Sequence, residues 1–310
     1  MQWIAGLLLA VLQVGALGAQ SSEKQYSFQV QVNEVTLPFR AKDSAGHPLQ
    51  SLQLSDLLLR DNGKEPKKIL SFTQLSDRPI RVGLLLDVSP SIEFNALARS
   101  QDIASMFASG FLHPASDQAF VMKFDFDQKF LTGWNNSPTA IETAVSAVGN
   151  ERSSRLGGTA IFDALYRGVR DQIAQTDPAG NNSNAIVLFS DGEDNASHAR
   201  LDDVVSICQR TNTAIYVFSV NPKSRFDAGG NTLRTLAGLT GGRVFYDTDT
   251  AGVEADLRTM ADDLRDYYLI VYRPAGLKPN GAFHRIRLES LQRGVEINAR
   301  AGYNAPQKQR

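Results

Sequence analysis

The order of apolar and polar positions divides the chain into two β-rich ends and a central region in which strands and helices alternate. In the central region, continuous apolar runs such as residues 82–86 and 185–189 predict strands that are buried on both faces. Strands that alternate with helices predict a doubly wound, mostly parallel sheet covered by helices on both faces. The predicted central strands are residues 82–86, 119–124, 129–131, 185–189, 214–220 and 244–246. The predicted helices are residues 93–111, 138–148, 160–175, 201–211, 230–239 and 251–266.

The two ends carry short runs with the alternation typical of β-strands. Asn62-Gly63 lies between two apolar runs and predicts a hairpin. Each end is too small to hold a stable core alone. We therefore expect residues 21–78 and 267–304 to form one small β-sandwich, into which the α/β domain of residues 80–266 is inserted. Two unrelated peripheral hairpins are the alternative. The predicted strands of the ends are residues 26–32, 35–41, 57–59, 68–72, 267–272, 284–288 and 295–301.

The N-terminus has the pattern of an export signal. Residues 4–12 are apolar, and small residues follow at Ala16, Gly18 and Ala19. The run is shorter than the roughly 20 residues of a membrane span. It predicts a cleaved signal peptide over residues 1–19 and a secreted or periplasmic protein. Because Lys and Arg are absent before the run, an uncleaved or buried N-terminal helix is the alternative. No later segment is apolar enough to span a bilayer, so we expect no transmembrane segment in the mature chain.

Composition narrows the possible functions. The chain has 310 residues, 42% of them hydrophobic and 21% charged, as is ordinary for a soluble globular protein. Lys plus Arg number 32 and Asp plus Glu 33, so the sequence lacks the basic excess of a nucleic-acid-binding protein. Cys208 is the single cysteine and cannot form an intramolecular disulfide. Its apolar neighbours on a predicted helix indicate a small core residue. The four histidines are scattered without zinc-ligand spacing and are predicted to lie at the surface.

Oxygen-bearing side chains follow two predicted strands and open one predicted helix. Asp87-Val-Ser89-Pro-Ser91 ends the first central strand, Thr159 follows two glycines, and Asp191 follows the strand at residues 185–189. In an open α/β sheet, ligands bind beyond the carboxyl ends of the strands. Alternate residues of an extended segment face the same side, so Asp-x-Ser-x-Ser can direct three oxygens at one point. Such a set suits Mg²⁺, Mn²⁺ or Ca²⁺. The alternative is that Asp87 caps a helix and Asp191 is a turn residue.

These five positions, in this order and on these elements, resemble the complete metal-ion-dependent adhesion site of von Willebrand factor type A domains. The resemblance covers roughly residues 80–266. It implies that Ser89 and Ser91 bind the metal directly, and that Thr159, Asp87 and Asp191 act directly or through water. Pro90 departs from the pattern by stiffening the first loop, but it removes no ligand oxygen. The flanking segments are also similar to exported acidobacterial-type VWFA-related domain proteins, which implies adhesion or complex assembly.

Other acidic residues are weaker candidates. Glu193 and Asp194 follow Asp191 and could order water around the metal, or they could form a solvated acidic loop. Asp125 and Asp127 could add negative potential, although a strand-end turn explains them equally well.

No nucleophile elbow, P-loop or dinucleotide-binding motif is present in the sequence. We therefore expect a binding protein and not an enzyme: a divalent-cation-dependent protein-binding or adhesion module whose metal site is completed by an Asp or Glu of a partner. One alternative is a cell-envelope assembly protein that the metal merely braces. Another is a metal-assisted hydrolase with Glu193 as the nearby base.

Overall fold

The computed structural model describes residues 34–149, 157–177 and 182–306. The predicted signal peptide and the predicted strand at residues 26–32 lie outside these ranges. Within them, no helix combines the length and the apolar character needed to cross a membrane.

Thirteen strands and seven helices make up the described chain. The strands are β1 (Val35–Lys42), β2 (Leu57–Asp61), β3 (Lys68–Leu75), β4 (Ile80–Asp87), β5 (Gln118–Phe124), β6 (Gln128–Phe130), β7 (Ser183–Ser190), β8 (Thr213–Ser219), β9 (Val244–Phe245), β10 (Tyr267–Arg273), β11 (Phe283–Ser290), β12 (Glu296–Ala299) and β13 (Gly302–Asn304). The helices are α1 (Phe94–Phe111), α2 (Pro138–Ser146), α3 (Ile161–Gly168), α4 (Ala174–Thr176), α5 (Leu201–Arg210), α6 (Ala228–Thr240) and α7 (Thr250–Arg265), and a π-helical turn (Val169–Ile173) joins α3 to α4.

The central sheet has six strands in the order β6-β5-β4-β7-β8-β9, and all are parallel except β6 at one edge. Successive side chains of β4 point to opposite faces, as strand geometry requires. Leu84 and Leu86 pack in the cluster formed with α1, α2 and α7, whereas Leu85 packs in the cluster formed with α3, α5 and α6. All three leucines are fully buried. The predicted three-layer α/β fold is confirmed.

The two ends of the chain form a second structure of two antiparallel sheets. One sheet has the order β12-β1-β10-β3 and the other the order β13-β11-β2, so each contains strands from both ends. Their facing side chains share one apolar cluster, in which Phe39 of β1 and Ile270 of β10 meet Leu59 of β2 and Ile286 of β11. The predicted β-sandwich is therefore present, and the alternative of two unrelated hairpins is wrong. The exact domain boundaries stay a prediction.

The hairpin predicted at Asn62-Gly63 is wrong. The turn itself forms: Asp61 and Lys64 exchange backbone hydrogen bonds of 2.8 and 3.0 Å, and both central residues have positive φ. The strands on either side belong to different sheets, since β2 pairs with β11 and β3 pairs with β10. Pro66 follows the turn and has no N–H to extend a ladder. The Asn62-Gly63 turn determines that the chain reverses locally, but it does not determine which strands pair with β2 and β3.

A second departure is the segment predicted as one strand at residues 295–301. It forms β12, which pairs with β1, and ends directly before β13, which pairs with β11 in the facing sheet. Arg300 stands at the crossing, is buried, and donates from Nη2 to the Thr36 carbonyl at 2.8 Å. In an alternating pattern, a charged residue such as Arg300 is expected to face solvent. The pattern of residues 295–301 therefore predicts one continuous strand and not a change of sheet.

The surface prediction is wrong for His284. This side chain is buried in the sandwich, and its Nδ1 lies 2.6 Å from Asp61 Oδ1. The hydroxyls of Tyr272 and Tyr303 both donate to Asp61 Oδ2, at 2.9 and 2.8 Å. The imidazole is tolerated inside because a buried polar group with a hydrogen-bond partner avoids most of its desolvation cost.

The sandwich joins the central domain at the amino-terminal edge of the parallel sheet. Asp117, directly before β5, accepts hydrogen bonds from the Ile80 backbone N–H at 2.9 Å and from Arg265 Nη2 at 2.7 Å. The Asp117 carboxylate thus binds both the first strand of the central domain and the end of its last helix. Arg40 of β1 also donates to the carbonyls of Gly241 and Asp263, at 3.0 and 2.8 Å. The carboxyl ends of the parallel strands lie at the opposite edge.

Candidate metal-binding site

The loop after β4 directs three oxygen-bearing side chains to one place. Asp87 Oδ1 accepts the Ser89 backbone N–H at 2.9 Å, which closes a tight turn directly after the strand. Ser89 Oγ and Ser91 Oγ are then only 3.2 Å apart. Asp87 and Ser89 are buried, whereas Ser91 is exposed. The two hydroxyls therefore lie side by side, with Ser91 outermost, but a turn brings them together and not the extended segment predicted for Asp-x-Ser-x-Ser.

The loop after β7 is bonded directly to the loop after β4. Ser190 Oγ donates to Asp87 Oδ2 at 2.7 Å and accepts the Gly192 N–H at 3.1 Å. Asp191, between them, is 8% exposed, and its Oδ1 accepts the Glu193 N–H at 3.1 Å. These bonds fix the position of Asp191 relative to Asp87.

Gly192 is required by a close approach of the first turn of α6. Its φ is +88°, and a Cβ at this position would lie 2.3 Å from the Gly229 carbonyl oxygen. A side chain would therefore force the two segments apart and move Asp191. This accounts for the glycine in Ser-Asp-Gly.

Thr159 is held near the end of β4 by hydrogen bonds to the loops that follow the two neighbouring strands. Its N–H donates to Asn195 Oδ1 at 2.8 Å, and its carbonyl accepts the Asn195 N–H at 3.0 Å. On the other side, the Ala160 N–H donates to the Asp125 carbonyl at 2.9 Å. Because Asp125 follows β5, Asn195 follows β7 and β4 lies between these strands, the buried Thr159 is placed at the same edge as Asp87 and Asp191.

The electrostatics of this cluster fit a bound cation. Burial raises the pKa of Asp87 to about 7, with a smaller contribution from the charge of Asp191 and against the lowering effect of hydrogen bonds from Ser89 and Ser190. A buried carboxylate beside a second acidic group is unfavourable unless a positive charge compensates it. Among the described residues, no group of three His, Cys, Asp or Glu side chains is placed to hold a metal. A metal here would therefore depend on hydroxyl ligands as well as two carboxylates, a set that suits a hard cation.

The weaker candidates have other contacts. Asp194 Oδ2 accepts the Phe162 N–H at 3.0 Å and the Ser197 hydroxyl at 2.5 Å, so its carboxylate lies at the start of α3. The Glu193 side chain is exposed. Asp125 Oδ1 accepts the Asp127 N–H at 2.8 Å, which forms the turn between β5 and β6.

Two residues that position the site were missed from the sequence. These are Ser190, directly before Asp191, and Asn195. Ser190 carries a weak signal, because a hydroxyl at the end of a buried strand needs a partner. Asn195 carries no local sequence signal, because its partner Thr159 is 36 residues away in the chain.

Comparison with known proteins decides the family. The model of the von Willebrand factor type A domain matches residues 82–259, more than half of the chain. The chain belongs to this family. The match includes every residue of the candidate metal site but neither flank, so the likeness to exported acidobacterial-type proteins stays a prediction. No curated protein gives a significant match.

Two solved structures of low sequence identity are similar to part of this chain. Proximal thread matrix protein 1 from the mussel byssus, described with a zinc-occupied MIDAS motif, has 17% identity and a TM-score of 0.50 over 65% of this chain and 50% of its own. The conserved hypothetical protein BatB from Bacteroides thetaiotaomicron has 15% identity and a TM-score of 0.49 over 59% of this chain and 98% of its own. The chain thus spans about half the length of the mussel protein.

Proposed function

We propose that this chain is an exported, divalent-cation-dependent protein-binding module. The observation that carries the proposal is the buried carboxylate of Asp87, which is bonded to the loop of Asp191 and lies at the same sheet edge as three hydroxyls. In this proposal the hydroxyls of Ser89, Ser91 and Thr159 contact the metal, and the two carboxylates act directly or through water.

The donor set also suggests how a partner binds. If the direct ligands are mostly neutral hydroxyls, the ion keeps much of its positive charge. Mg²⁺ takes six oxygens and retains waters, which leaves an exchangeable position. An Asp or Glu side chain of a partner would occupy that position beside Ser91, the exposed member of the set.

Binding is favoured over catalysis by the surroundings of the site. A hydrolase would need a positioned general base. Glu193 is exposed, and His198, seven residues after Asp191, is directed at Asp163 with its Nδ1 3.2 Å from the carboxylate. A purely bracing role for the metal would predict metal binding without any partner.

Mg²⁺ or Mn²⁺ is the proposed ion, with Ca²⁺ as a further candidate. Zn²⁺ belongs in the same titration, because the similar mussel protein is described with zinc in its motif.

Export is inferred from the apolar residues 4–12 and the small residues that follow them. N-terminal sequencing of the native protein should find a chain that begins near Ala19 or Gln20. Retention of Met1 would contradict this inference.

Calorimetric titration of the full chain with each metal tests the site. Asp191→Ala removes one carboxylate from the cluster and should weaken metal binding by at least about tenfold, or roughly 1.4 kcal/mol. Asp102→Ala, an exposed position on α1, is the control and should bind metal like the wild type. Circular dichroism should show that both variants fold. Equal heats for all three proteins, or no heat at millimolar metal, would contradict the proposal.

A further inference from the structure

An open pocket of about 510 Å³ adjoins the candidate metal site. Ser91 and Asp191 form the part of its wall that belongs to the site. The rest of the wall comes from the start of α1, including Glu93 and Arg99, and from the segment after β8, including Lys223. A group bound at the exposed position of the metal would therefore continue directly into this pocket.

The wall of the pocket also carries two positive charges, Arg99 and Lys223, that form no ion pair within the described residues. Arg99 is half-buried and donates from Nη2 to the Val220 carbonyl at 3.0 Å, while Lys223 is exposed. In the described part of the chain, neither side chain has a carboxylate within ion-pair distance. Glu93, an exposed negative charge, lines the same pocket and opposes them. With a divalent cation bound, the pocket would have a net attraction for anions.

Two exposed phenylalanines are close in sequence to lining residues of this pocket. Phe94 follows Glu93 and is 82% exposed, and Phe226 lies in the same short 3₁₀ turn as Lys223 and is 84% exposed. Single exposed apolar residues are common on protein surfaces. Exposed aromatic rings beside a charged pocket are typical of surfaces that bind proteins.

We propose that the partner segment carries a second acidic side chain, which binds between Arg99 and Lys223 while the first completes the metal site. An apolar residue of the same segment would pack on Phe94 or Phe226. This inference rests on the proposed function. Ser91, in the part of the wall that belongs to the metal site, and Arg99 line the same pocket. A single extended segment can therefore reach both positions, so the two acids should be only a few residues apart.

Selection from a random twelve-residue peptide library tests the inference. Full-length protein is immobilised with Mn²⁺, and the bound peptides are released with chelator. We expect released peptides with two acidic residues at this spacing and an aromatic or aliphatic residue nearby. The double variant Arg99→Gln/Lys223→Gln should bind a selected peptide about three- to tenfold more weakly, with its Mn²⁺ affinity unchanged. Arg258→Gln, which removes an exposed charge on α7, is the matched control.

The outcomes separate this inference from the proposed function. Chelator-released peptides that share only one acidic residue would overturn the second acidic contact and leave the metal-dependent binding intact. Equal binding of the selected peptides by the wild type and the double variant would overturn it as well. If the wild type yields no chelator-released peptide, the proposed function fails and this inference fails with it.

Discussion

Replacement of Asp87 by Asn should have opposite effects on stability and on metal binding. Asp87 is 2% exposed, and burial raises its pKa from an ordinary value of 3.8 to about 7. Between these values the folded chain keeps a proton that the unfolded chain has lost. The stability of the metal-free protein therefore falls as pH rises through this window, and the full loss is reached above pH 7.

The size of the effect follows from the same pKa. A tenfold change in proton affinity corresponds to about 1.4 kcal/mol, so the ionised Asp87 lowers the free energy of unfolding by on the order of 4 kcal/mol above pH 7. Asn carries no charge, and its carbonyl can still accept the Ser89 N–H. Its amide faces the Ser190 hydroxyl less favourably, at a cost of about 1 kcal/mol. Without metal at pH 8, Asp87→Asn should be more stable than the wild type by about 3 kcal/mol.

Urea unfolding at pH 5 and pH 8, with chelator or with saturating Mn²⁺, measures these effects. The advantage of the variant should be nearly absent at pH 5. Mn²⁺ at a hundred times its dissociation constant should stabilise the wild type by about 2.7 kcal/mol and the variant far less. Asp102→Asn should follow the wild type under every condition. A variant that is less stable than the wild type at pH 8 in chelator, or a difference that does not depend on pH, would refute the reasoning.

Three further predictions concern the core. The fully buried carboxylate of Asp263 lies 3.0 Å from Lys42 Nζ. Asp263→Ala leaves that positive charge unpaired and should lower the free energy of unfolding, measured by urea unfolding, by about 3–5 kcal/mol. A loss below about 1 kcal/mol would contradict this prediction. Burial raises the pKa of Cys208 to about 12, so the native protein should resist thiol reagents at pH 8 and react once denatured; rapid labelling of the native protein would count against it. Gly242→Ala should destabilise the fold severely because its Cβ would lie 1.9 Å from a backbone oxygen, whereas Gly238→Ala, on the open surface of α6, should raise the melting temperature slightly.

The central domain could be predicted from the sequence because its signals are local and repeated. A strand buried on both faces must be apolar throughout, so β4 and β7 are visible as continuous runs. Oxygen-bearing residues that end such strands share an edge in any parallel sheet. Asp87 and Asp191 could therefore be brought together without knowledge of the strand order, and the structure places them at the ends of neighbouring strands.

The sandwich was less predictable because its strands choose partners over long distances. The turn at Asn62-Gly63 reports only local backbone geometry, while the partners of β2 and β3 lie more than 190 residues away. His284 shows the same limit for polarity. Its burial depends on Asp61, 223 residues earlier in the chain, and no local pattern reveals that partner.

The insertion explains how one chain can hold an extra β-structure without covering its candidate metal site. Both connections to the central domain meet at Asp117, at the amino-terminal edge of the sheet. The loops of Asp87, Thr159 and Asp191 are at the carboxyl edge, a full strand length away. An eight-residue strand such as β4 spans about 26 Å. The sandwich therefore cannot contact a partner segment bound at the metal, unless the partner is itself large enough to reach both edges. We infer that the flanks serve to anchor or orient the binding edge, while selectivity resides in the side chains around that edge.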